Sequence, residues 1–98
     1  MSNLEQQRER GEKAARLLAD PIFIDAFAQV HEGIHAQWEN TPIRDQEGAH
    51  ELKLMLQLLR RFQAVFEQTV ADGKLAAAEL EHLNRKQMTL AEVRALRR

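Results

Sequence analysis

From Pro42 to Gly73 the chain reads as one long amphipathic helix, and that run limits the fold more than any other feature. Leu52, Met55, Leu56, Leu59, Phe62, Phe66 and Val70 recur mostly at three- and four-residue intervals, the period of a helix with one buried stripe. The helix should open between Pro42 and Gln46 and close near Asp72, with Gly73 as a left-handed stop. At 1.5 Å per residue it would be roughly 40 Å long. Leu54, Leu58 and Val65 form a second apolar set on its flank and back. A single helical partner covers one stripe only, so the second set calls for another element or another chain. That requirement is the main physical argument for association.

The remaining segments also read as helices. Alternating β-branched or aromatic stretches are missing, while Ala, Leu, Glu, Gln, Arg and Lys, all good helix formers, dominate. A first helix should run from about Asn3 to Ala19. Its opening, Glu5 to Lys13, is polar all round and is loosened further by Gly11, so residues 1–13 are expected to fray or to form a flexible arm. Asp20 followed by Pro21 is a helix start, an acceptor at the cap and proline at the first helical position. The second helix should reach Trp38 or Glu39, with Phe23, Phe27, Val30, Ile34 and Trp38 on one stripe. Asn40, Thr41 and Pro42 then break it, because a residue before proline avoids helical angles.

Beyond Gly73, Leu75 to Lys86 should make a short helix anchored by Leu75, Leu80 and Leu83. Thr89 and Glu92 have the spacing of a capping box, which would open a last short helix with Leu90, Val93 and Leu96 as apolar positions. So short a helix is marginal alone and should dock on something. The expected fold is all-α: a small helical bundle built on a long antiparallel helical hairpin with short flanking helices. It should be a single domain over residues 1–98, with 87–98 as the docking helix.

Several function classes are set aside by composition. With 98 residues there is room for one modest core. The longest apolar runs fall far short of the roughly 20 residues that cross a bilayer, so no membrane association is expected. Polar residues from Ser2 to Lys13 argue against a secretory signal, and the cytoplasm is the expected compartment. There is no cysteine, which removes disulfides, thiolate metal sites and cysteine nucleophiles. The net charge of -1 gives no overall attraction to nucleic acid. Only the C-terminal stretch is basic: Arg85, Lys86, Arg94, Arg97 and Arg98 stand against Glu92 alone. Arg94, Arg97 and Arg98 are the candidate phosphate contacts, although cations also suit a helix C-terminus.

One motif carries a specific chemistry. His31, Glu32, Gly33, Ile34 and His35 match H-E-x-x-H, in which two histidines one turn apart hold zinc and the glutamate acts as general base. The pattern lies on a predicted helix, and His50, His82 or an acid could supply a third ligand. Against it stand the absence of a strand to align a substrate, the short chain and the glycine inside the motif. His31 and His35 also sit at the edge of the stripe holding Phe27, Ile34 and Trp38, where half-buried histidines are ordinary. No metal site, cofactor or catalytic residue is therefore expected. Trp38 closes the second helix as a core residue or an interface anchor.

Three stretches together resemble a known group: Leu17 to Phe27 (LLADPIFIDAF), Trp38 to Gly48 (WENTPIRDQEG) and Ala71 to Ala76 (ADGKLA). They resemble short helical-hairpin proteins encoded among the head and tail morphogenesis genes of tailed bacteriophages. The resemblance spans roughly the central 60 residues and does not include the histidine pair. It implies a virion or assembly component that acts through protein contacts in the host cytoplasm or the virion. The leading expectation is thus a non-enzymatic structural protein that forms a homo-oligomer or docks on a larger assembly. Trp38, Leu54, Leu58, Val65, Leu90, Val93 and Leu96 are its expected contact residues. The alternatives are a small regulator or inhibitor of a host or phage protein, and a zinc-binding H-E-x-x-H protein.

Overall fold

The computed structural model describes residues 3–96. The fold is all-α, with three helices in chain order: α1 (Asn3–Ala19), α2 (Pro21–Asn40) and α3 (Gln46–Leu96). No described residue is in a strand. Asp20 alone separates α1 from α2. Its backbone is extended, and its Oδ1 accepts from the amides of Ile22 at 2.8 Å and Phe23 at 3.4 Å, satisfying donors that a helix start leaves open. Thr41 ends α2 in an extended conformation, its amide donating to the Trp38 carbonyl and its hydroxyl to the Gln37 carbonyl. Asp45 then caps α3 by accepting from the Gly48 amide at 2.9 Å. The connection from Thr41 to Asp45 is therefore a turn with a cap on each flanking helix end.

Contacts divide the chain into two compact units, one of residues 15–67 and one of residues 1–14 with 68–98. The first unit holds α2 and the N-terminal part of α3. Ile34 and Leu52 are its buried apolar side chains, and Leu18, Phe23, Phe27, Leu56, Leu59 and Phe66 are half-buried. Four phenylalanines lock the two helices. Phe23 meets Phe66 edge-on at 5.3 Å, Phe27 stacks on Phe62 at 5.8 Å, and the neighbours on each helix also touch. Because 23 pairs with 66 and 27 with 62, the two segments run antiparallel. Aromatic pairs at these separations add about 0.5–1.5 kcal/mol each beyond the area they bury.

The second unit is built by a different rule. Gly11 of α1 and Gly73 of α3 are both buried and face each other. A Cβ built on either would stand 2.7 Å from the other's Cα, closer than two carbon atoms can pack. The contact is reciprocal: the carbonyl oxygens of Thr69 and Gln7 each lie 3.1 Å from the Cβ position on the opposite glycine. Ala14 and Ala76, the buried apolar side chains of this unit, extend the small-residue contact, with Leu4, Ala77 and Leu80 half-buried nearby. Side chains this small let two helix backbones approach to van der Waals distance. Residues 3–13, expected to be an arm or a frayed start, are thus helical and carry one half of this contact.

Two expectations from sequence are corrected here. Gly73 does not stop a helix: α3 passes straight through it to Leu96, 51 residues in all, and no described glycine has a positive φ. The glycine is used for close approach, not for a left-handed turn. Nor does Thr89 open a new helix. Its hydroxyl donates to the Arg85 carbonyl at 2.9 Å, the back-bond of a threonine inside a helix, where a capping threonine would accept from an amide downstream. The expected short helices over 75–86 and 87–98 are therefore stretches of α3 as far as Leu96.

Candidate interaction surfaces

The buried and half-buried apolar positions of α3 in the first unit fall on one narrow stripe, at Leu52, Leu56, Leu59 and Phe66. Its outward side keeps exposed apolar side chains among polar ones. Leu54 is 51 % exposed, Leu58 68 % and Val65 59 %, so all three expected second-face residues lie on the surface of their unit. Met55 and Phe62, which the spacing assigned to the covered stripe, are also about half exposed and widen that surface. The covered stripe is narrower than the sequence pattern suggested because two helices packed along one seam hide only the side chains in the seam itself. Arg61 and Gln57 border Leu54 and Leu58 in a shallow groove of about 350 Å³.

The end of α3 is apolar in a different way. Every described residue from Glu81 to Leu96 is exposed, including Leu83, Met88, Leu90, Val93 and Leu96. The expected docking residues Leu90, Val93 and Leu96 thus lie on a helix end that no other described element covers. Among the candidate phosphate contacts, Arg94 is exposed in the last turn, whereas Arg97 and Arg98 lie outside the described residues. Arg85 is engaged by Glu81 one turn earlier, so part of the local positive charge is answered within the helix.

The histidine motif lies on α2, and His31 and His35 are both exposed rather than half-buried. His31 and His35 line an open cavity of about 290 Å³ with Trp38 and Lys53, over a floor of Ile34, Leu52 and Leu56. His35 Nε2 lies 3.3 Å from Glu39 Oε1, both side chains two-thirds exposed. No group of three or more His, Cys, Asp or Glu side chains among the described residues could hold a metal ion together. The pair can therefore offer a metal two imidazoles, fewer than the three protein ligands of a catalytic zinc site. His50 and His82, the sequence candidates for a third ligand, do not line this cavity.

Trp38 is 51 % exposed at the end of α2, and Ile43 in the following turn is fully exposed. With Thr41, Pro42 and Ala49 they border a cavity of about 240 Å³. At this exposure Trp38 is a surface side chain, not the core residue that its place on the apolar stripe suggested. Among the described residues no helix is long and apolar enough to cross a membrane. No protein-family model, no curated protein and no solved structure matches this chain.

Proposed function

We propose that this protein is a non-enzymatic structural or assembly component that acts through helix–helix contacts with other chains. It forms a homo-oligomer or docks on a larger assembly of the tailed-phage morphogenesis type. One observation carries the reading: α3 exposes Leu54, Leu58 and Val65 on the side away from its seam, within a unit that buries only Ile34 and Leu52 as apolar side chains. Fully burying a leucine is worth about 1.5–3 kcal/mol, so a partner helix that covers what is still exposed of each of these side chains gains the corresponding share of that at each one. In this reading the antiparallel pair is one layer of a helical bundle that the partner completes. The exposed end of α3, with Leu90, Val93 and Leu96, is a second contact for the same assembly. Protein contacts, rather than cofactor, membrane or nucleic acid, account for the exposed surface.

A pair of neighbouring substitutions tests this. Leu58→Glu should dissociate the assembly, whereas Gln57→Glu, one position around the helix, should leave its size unchanged. Equal behaviour of the two variants by size exclusion contradicts the assignment of the contact face. A second reading, a small regulator or inhibitor of a host or phage protein, is favoured by the exposed Trp38 and Ile43 beside the turn. The proteins that co-purify separate the two readings: a capsid, portal or tail component for the first, a host enzyme for the second.

A further inference from the structure

The outward side of α3 carries a pattern that is complementary to itself. Glu51, Leu54, Leu58 and Arg61 lie at spacings of three, four and three residues. At 100° per residue they fall within about 80° of one another on the helix. All four are exposed, and all belong to the same compact unit. The spacing reads identically in both directions, while the charge changes sign from the acidic end to the basic end. When two such helices are laid antiparallel about a two-fold axis, Leu54 of each meets Leu58 of the other. At both ends of the contact Glu51 then faces Arg61. A parallel arrangement would set Glu51 against Glu51 and Arg61 against Arg61. Charges flanking an apolar helix seam are what fix partner and orientation in paired helices, and a two-fold interface requires one patch that complements itself.

We infer that the partner on this face is a second copy of the same chain, joined through antiparallel α3 helices with Leu54 against Leu58 and Glu51 against Arg61. Met55 and Phe62, both half exposed on the adjoining flank, broaden the contact beyond the four central residues. The inference rests on the proposed role in assembly and specifies both its partner and its register.

Charge reversal tests it in the intact chain. Glu51→Arg and Arg61→Glu should each weaken self-association on the order of tenfold or more, since each turns two attractions into two repulsions. The double variant, with both charges exchanged, restores the complementary pattern and should return to within about threefold of the parent. Sedimentation over a range of concentrations reads these shifts, and circular dichroism shows that each variant keeps its helix content. Because the sequence has no cysteine, single thiols add an independent readout of register. A mixture of Leu54→Cys and Leu58→Cys chains should form the mixed disulfide in preference to either self-disulfide. Association that is indifferent to both reversals, or self-disulfides that match the mixed one, overturns the register while leaving the assembly reading intact. A parent chain that stays monomeric throughout overturns the self-partner, and docking on another protein then remains the form of the assembly reading under test.

Discussion

Glycine substitutions at two helical positions should move stability in opposite directions. Gly33 sits within α2, and a Cβ built there meets nothing within 4 Å. Replacing it with alanine adds no clash and removes the helix-propensity deficit of glycine, a gain of about 0.8–1 kcal/mol. Gly73 is also helical, so Gly73→Ala starts with the same gain. Its new methyl, however, stands 2.7 Å from the Gly11 Cα and within 3.3 Å of the Gly11 amide nitrogen and the Gln7 carbonyl oxygen, all backbone atoms that cannot rotate aside. The helices must separate, which costs typically about 1–3 kcal/mol for a well-packed contact. The two variants should therefore differ by about 1–3 kcal/mol, with Gly33→Ala the more stable. At about 4–8 °C per kcal/mol for a chain of this size, that difference is readily measured. Thermal melts followed by circular dichroism at matched protein concentration supply the comparison. Amide exchange adds the location, with faster exchange around residues 7–14 and 69–77 in Gly73→Ala only. Equal stabilisation by both substitutions would refute the close approach of α1 to α3.

Two further outcomes follow from local geometry. Asp20→Ala and Asp45→Ala each remove a cap that accepts from helix-start amides, and each should cost about 0.5–2 kcal/mol in a denaturant titration; no loss at either position would mean that its cap is dispensable. Thr89→Ala separates a cap from a helix interior by sign: loss of a cap costs about 1 kcal/mol, whereas alanine inside a continuous helix is neutral or gains up to about 0.7 kcal/mol. Helix content unchanged or raised in Thr89→Ala supports the uninterrupted α3, and a drop supports a break at Thr89.

The helix ends that rest on local chemistry were legible in the sequence. Asp20 with Pro21, and Thr41 before Pro42, act through their own side chains and rings, and the structure uses both as boundaries. Gly73 was misread because its two possible uses cannot be told apart locally. The same residue supplies a left-handed turn or admits a neighbouring backbone, and the choice here is made by Gly11, far away in the chain. Thr89 with Glu92 failed for a related reason, since a threonine hydroxyl can accept at a cap or donate back within a helix. Of the exposed apolar side chains on α3, Leu54, Leu58 and Val65 were visible from periodicity alone. Met55 and Phe62 were not, because spacing gives the direction of a side chain but not how wide a stripe the neighbour covers. The small-residue contact of Gly11, Ala14, Gly73 and Ala76 carries no hydropathy signal and emerged only from the packing.

In the proposed assembly the exposed side of α3 is covered by another chain in solution. Light scattering coupled to size exclusion measures this directly on the unmodified protein. The expected result is a defined species with a mass of two or more times 11.3 kDa. A single species of 11.3 kDa, unchanged as the concentration is raised, would contradict self-assembly through this face.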